Sequence, residues 1–217
     1  MAGLRERQKV AREKRILESA SMLFKRDGYD KTRMEDIAEL AEVSTGTTYN
    51  YYQSKADILI AVVSMEVEEI LIAGERLIEG PLSSVDEALN ALIGSYYEHS
   101  QVYLNKEMWR MAMAFSIQRP QTPFSQRYAE LDQRISMQVV CLIETFKVKN
   151  MIISYLDHQA LGETIFNNLN SMFTEFVKSN EMTIDELKLT VARQMTPLTS
   201  LITKNKPSLL KPIHNHA

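Results

Sequence analysis

Between Glu42 and Lys55 the chain reads EVSTGTTYNYYQSK: three threonines, three tyrosines, an asparagine and a glycine, with hardly an aliphatic side chain. These residue types form hydrogen bonds and flat apolar contacts. They do not supply a nucleophile paired with a base. Threonine methyls touch thymine, and an asparagine amide pairs with two atoms of adenine at once. Tyrosine hydroxyls, and a lysine near a helix start such as Lys55, suit phosphate oxygens. Gly46 lets a backbone come close to another surface. Thr45, Gly46, Thr47, Asn50 and Tyr51 share the polar side, whereas Thr48 and Tyr52, four apart, are expected to face inward with Val43. The competing reading is a short helix that is merely solvated.

The elements that would position this stretch are helical. Ile16, Ala20, Leu23 and Phe24 recur at helical spacing, and the DGYD at 27–30 predicts a stop, with Gly28 just past the helix. TRME at 32–35 predicts a capping box, with the Thr32 hydroxyl on a free amide and Glu35 reaching back. A turn at AEVS and an N-cap at Ser44 open a second short helix. Ser54 then caps a helix running to EGP at 79–81. Beyond it, SVDE at 84–87 predicts a capping box and a helix to about Leu104, and a shorter helix holds EMWRMAMAF. Thr122–Pro123 opens a long helix to about Lys149, Asp157 caps one to about Lys178, and TIDE at 183–186 opens the last. Pro197 is expected to kink that helix or end it near Thr196. The expectation is an all-α chain: residues 1–54 form a three-helix, helix-turn-helix domain with a basic arm, 55–205 a larger helical domain, and 206–217 a loose tail.

Charge supports a polyanion partner at one end. The chain carries −3, yet residues 1–34 hold ten Lys or Arg against five Asp or Glu, leaving −8 for the rest. The single cysteine, Cys141, excludes a disulfide within the chain and suits a reducing compartment. The charged start is unlike a signal peptide, and the longest apolar run, ILIAVVSM at 58–65, is too short to span a bilayer. A cytoplasmic protein without a membrane partner is expected. No phosphate-cradling glycine loop, His–Glu–x–x–His or Gly–x–Ser–x–Gly occurs, so neither an enzyme nor a cofactor or metal site is expected. His214 and His216 belong to the tail.

From Ile16 to Leu59 the order of residues, IL..A..LF...GYD.TRMEDIAE.A.VS.GT.Y.YY.SK..IL, resembles the DNA-binding domain of the TetR family of bacterial repressors. The resemblance implies phosphate contacts by Thr32, Arg33, Tyr49, Tyr51 and Lys55, and base-edge contacts by Thr45, Gly46, Thr47 and Asn50. Thr48 stands where the family usually has leucine, and Tyr52 replaces a common phenylalanine. The resemblance also implies a homodimer on double-stranded operator DNA and a small apolar or amphipathic effector in the larger domain. Tyr97, Trp109, Met113, Met137, Cys141 and Phe166 are candidates to line its cavity. The MWRMAMAF cluster reads equally as ordinary core packing. Two apolar ridges, Leu161–Ile165–Leu169–Phe173–Phe176 and Leu187–Val191–Leu198–Leu201, are expected to face a second copy in a four-helix interface, with the contact resting mostly on residues before 197. The rival readings are a regulator switched by a protein partner without an effector, and a helical enzyme or scaffold that merely carries a basic arm.

Overall fold

A computed structural model describes residues 3–204. Among them are nine helices: α1 (Leu4–Asp27), α2 (Met34–Leu40), α3 (Thr45–Tyr51), α4 (Lys55–Glu79), α5 (Val85–His99), α6 (Lys106–Gln118), α7 (Pro123–Val148), α8 (His158–Lys178) and α9 (Ile184–Ile202). No strand occurs among the described residues; a lone bridge, Ile152 with Thr203, fastens the end of α9 to the α7–α8 connection. The tail at 206–217, with His214 and His216, lies outside the described residues.

Side chains that satisfy orphan amides set most helix starts. Ser44 accepts from Thr47 N, Asn105 from Met108 N and Asp157 from Ala160 N. Thr183 and Glu186 form a reciprocal capping box, as do Ser54 and Asp57. Three boundaries differ from expectation. α2 begins one residue later than a Thr32 cap would give: Arg33 N donates to Asp36 Oδ2 at 3.0 Å, and the Thr32 hydroxyl turns back to donate to Gly28 O. α5 stops at His99, not Leu104, because the amides of Val102, Tyr103 and Leu104 are taken by the Glu66 carboxylate. α9 runs through Pro197 to Ile202, its surroundings holding it helical despite the lost backbone donor.

α1 and α2 bury Ile16, Ala20, Leu23, Phe24, Met34 and Ile37 in one cluster with Ile58 and Leu59 of α4. Gly28 ends α1 at φ +89°, a conformation L side chains rarely adopt. In the larger unit α7 packs on α4 and α8, and α5 on α4 and α9. α8 crosses α7 so closely at Gly162 that a Cβ there would stand 2.7 Å from Val140 Cα.

The expected dimer ridges lie inside the protomer. Leu187, Val191 and Ile165 are 0% exposed, Leu169 and Phe176 are buried, and Phe173 and Leu161 are partly covered. α7 covers the α8 ridge and α5 covers the α9 ridge as far as Val191, whereas Leu201 near its end is 77% exposed. The outward surface of these helices mixes polar and apolar side chains, with Thr164 and Ser171 exposed on α8 and Leu189, Arg193, Gln194 and Leu201 on α9. Among the described residues, no helix is long and apolar enough to cross a membrane, and no group of three His, Cys, Asp or Glu side chains could hold a metal ion.

Candidate nucleic-acid interface and effector cavity

The polar stretch forms α3, and its two sides separate as the spacing predicts. Thr48 is fully buried and Tyr52 nearly so. Gly46, Tyr49 and Asn50 are exposed, and Thr45 and Thr47 are half-exposed. A Cβ built on Gly46 would meet only Ser44 Oγ, at 4.0 Å, so nothing inside the protein requires glycine there. The Ser44 and Thr47 hydroxyls lie 2.7 Å apart, which fixes Thr47 at the first turn. Tyr52 donates its hydroxyl to Glu13 Oε1 at 3.1 Å, and Tyr51 donates to Lys9 O at 3.3 Å. These two bonds fasten the first half of α1 to the end of α3. Exposed Lys9 thereby stands beside the polar face. Burial and Glu13 together push the Tyr52 hydroxyl far above its usual range, so it remains a neutral donor.

The residues expected at phosphates divide. The Arg33 side chain is 73% exposed, with only a surface pairing to Glu35 at 3.5 Å, and is free to meet a polyanion. Thr32 is not: it is 2% exposed and its hydroxyl is engaged with Gly28 O at 2.9 Å. Lys55 is also committed internally. Its ammonium donates to Tyr29 O at 2.8 Å and Asp30 O at 3.1 Å, and lies 4.7 Å from the centre of the Tyr29 ring. Lys55 therefore ties α4 to the α1–α2 turn and has little to give a phosphate. The Thr48 hydroxyl is buried with no hydrogen-bond partner.

The second feature is a cavity in the larger unit. Val63, Val67 and Ile70 of α4 form one wall, and Tyr96 and Tyr97 of α5 a second. Trp109 of α6 closes one end, while Tyr128, Leu131, Asp132 and Ile135 of α7 face Phe166, Leu169, Asn170 and Phe173 of α8. Its free volume is about 70 Å³. Tyr97, Trp109 and Phe166 are thus where the sequence places them. Met113, Met137 and Cys141 are not among its walls. Met137 and Cys141, one turn apart, lie on the outward stripe of α7 beside Glu75 and Arg134. Met113 is half-buried one turn beyond Trp109. His99 is satisfied within its own helix, its Nδ1 lying 2.9 Å from Ser95 O.

A buried carboxylate helps join the cavity to α1. Glu66 is fully buried and accepts the amides of Val102, Tyr103 and Leu104. On the other side of this loop, Lys25 of α1 donates to Gln101 O at 3.1 Å and Val102 O at 2.7 Å, and Ser21 donates to Tyr103 O. Trp109, in the cavity wall, donates its indole N–H to Ser100 O at 2.7 Å. Burial pushes Glu66 up to about 7 despite three amides that favour its charged form. The signal for Glu66 was present in the sequence: it stands on the inward stripe Leu59–Val62–Glu66–Ile70, where an acid needs several donors.

A profile for bacterial regulatory proteins of the tetR family matches residues 16–62, which run from α1 into α4. Over this segment the chain is similar to the TetR family. A TetR-family relative, the HTH-type transcriptional repressor KstR of Rhodococcus jostii, is 39% identical over 59 residues, which cover 27% of this chain and 28% of that one. The chain thus spans less than a third of the curated relative's length. The fold likeness extends further. FadR of Bacillus subtilis, solved in complex with stearoyl-CoA, has a TM-score of 0.63 at 20% identity and covers 87% of this chain and 98% of its own. A transcriptional regulator from Saccharomonospora viridis, solved in complex with choline, has a TM-score of 0.66 at 19% identity and covers 89% and 98%. These relatives are transcriptional regulators, not enzymes, and the TetR-family helix-turn-helix here is the unit α1–α3.

Proposed function

We propose that the chain is a transcriptional repressor that binds operator DNA as a homodimer and releases it when a small apolar or amphipathic molecule enters the cavity. The observation that carries this reading is the outward face of α3: Thr45, Gly46, Thr47, Tyr49 and Asn50 stand together, unneeded by the core, beside exposed Arg33 and Lys9. In a major groove the threonines and Asn50 would meet base edges, with Arg33 and Tyr49 on phosphates. A dimer would place two such helices about one turn of DNA, or ~34 Å, apart. The outward surfaces of α8 and α9, with Ser171 and Leu201, are the face this reading assigns to the partner copy.

The loop 100–104 supplies the link between ligand and DNA. An occupant that displaces Trp109 would pull on Ser100, and the same loop holds α1 through Lys25 and Ser21. Two proteins of this fold were solved with ligands as unlike as choline and stearoyl-CoA, which supports a ligand in the helical unit without naming it. A switch operated by a protein partner is favoured by one observation. The free volume of about 70 Å³ is well below the roughly 300–1,000 Å³ of usual ligand clefts. Selection of bound fragments from genomic DNA, followed by competition with lipophilic compounds, tests both halves. The first half requires a recurring sequence whose ranking changes with Thr47→Ala. Selective DNA binding that no compound relieves would leave the partner-operated switch.

A further inference from the structure

Asp132 is the one acid in the walls of an otherwise aromatic and aliphatic cavity, and no Lys, Arg or His stands there with it. Among the described residues it makes neither a hydrogen bond nor an ion pair. Of the other polar groups, Tyr97 donates to Leu169 O at 3.1 Å, Tyr96 donates to Gln138 Oε1 at 2.8 Å, and Trp109 donates to Ser100 O, while the side chains of Tyr128 and Asn170, both uncharged, make no hydrogen bond among the described residues. We propose that the cavity takes an organic cation with an apolar body, an amine or quaternary ammonium, and that Asp132 is its counter-ion. The proposal rests on the effector reading given above and names the ligand class for that site.

The argument is one of elimination by charge. A desolvated carboxylate without a partner is costly, and a neutral apolar occupant would strip its remaining water without replacing it. An occupant with its own carboxylate or phosphate at that end would add repulsion. A cation removes the cost, and it also finds the electron-rich ring faces it prefers. Those rings are already grouped: Tyr97 stacks on Phe173 with centroids 6.1 Å apart, and Trp109 meets Phe173 edge-on at 5.2 Å. Burial alone raises Asp132 to about 6, so above pH 7 it is mostly charged. The titratable groups that face the cavity are Tyr96 and Tyr97 from α5 and Tyr128 from α7, all pushed upward by burial and neutral through this range. α4, α6 and α8 present none there. Partly covered Phe166 and Phe173 must move to admit more than the free volume of about 70 Å³, which is room for two or three water molecules at ~30 Å³ each.

The test uses the full chain and matched probes. Benzyltrimethylammonium is paired with neopentylbenzene, its uncharged carbon isostere, and dodecyltrimethylammonium with dodecanol and dodecanoate. Binding is read by Trp109 fluorescence and by thermal stabilisation. At pH 7.5 each cation is expected to bind about tenfold or more tightly than its neutral match, with dodecanoate weakest. The preference is expected to collapse at pH 5, and to be lost in Asp132→Asn. A neutral probe or dodecanoate that binds the native chain as well as the matched cation overturns the cation class and leaves the effector reading standing. Silence from every probe removes the effector reading and this inference with it. Where Asp132→Asn does not fold, the pH series on the native chain carries the decision alone.

Discussion

The Trp109 indole donates to the Ser100 carbonyl at 2.7 Å, and both residues line the cavity at the start of the loop that grips α1. Glu66 holds the same loop by accepting the amides of Val102, Tyr103 and Leu104.

Glu66→Gln should lower stability by roughly 1–3 kcal/mol, because a single amide oxygen cannot serve three amide donors and its NH₂ would face one of them. It should also change the pH profile. The folded value of about 7 lies above the ordinary 4.5, so the folded state holds the proton more tightly. That contribution is complete below pH 4.5 and is lost as the pH rises through about 7. Denaturant midpoints from pH 5 to 8 should therefore fall for the native chain and fall less for the variant. Parallel curves would show that Glu66 does not titrate there.

Lys55→Ala and Arg33→Ala should separate cleanly. Lys55 braces the α1–α2 turn, so its loss should lower the melting temperature, by about 1–3 kcal/mol of stability, with the salt slope of DNA binding little changed. Arg33 touches nothing structural. Its loss should leave melting unchanged and reduce the salt slope by about one per protomer, alike on all sequences. The reverse pattern in calorimetry and salt titration would return Lys55 to the phosphate backbone.

Thr48→Val should stabilise the fold by about 1 kcal/mol, since it exchanges a buried hydroxyl without a partner for a methyl of the same shape. A lower melting temperature would mean that the hydroxyl is satisfied in solution.

The proposed dimer is best probed from outside. Leu169→Glu or Val191→Glu would put an unpaired charge into the protomer's own core at a cost of several kcal/mol, so both should unfold the chain and leave the interface untested. Ser171→Arg with Leu201→Arg should keep the circular dichroism of the native chain and sediment as a monomer. A native-sized dimer from that variant would move the interface elsewhere.

The sequence made the elements legible because caps are local. Ser44, Ser54, Asp157 and Thr183 each act within three residues of themselves. It made the two sides of α3 legible for the same reason, since Thr48 and Tyr52 are one turn apart. What covers a face is not local. Periodicity groups Ile165, Leu169 and Phe176 on one ridge, but only the packed chain says that α7 covers it rather than a second copy. The partners of Lys55, Tyr29 O and Asp30 O, are not local either, since two helices separate them from it in the chain. Met137 and Cys141 were misplaced because α7 is long enough to have both an inner and an outer apolar stripe.

Gly28 and Gly46 show how differently the same residue can be held. At 28 the backbone itself demands glycine, and any replacement is strained. At 46 the space around the missing side chain is open, and alanine would even favour the helix, by up to about 1 kcal/mol. A library of all side chains at both positions, sorted once for folded protein and once for repression, would therefore diverge. Position 28 would fail the first sort. Position 46 would pass it and fail the second, unless the operator sequence were varied alongside. If α3 reads DNA as proposed, residue 46 is thus a place where the address of the protein can change without the scaffold noticing.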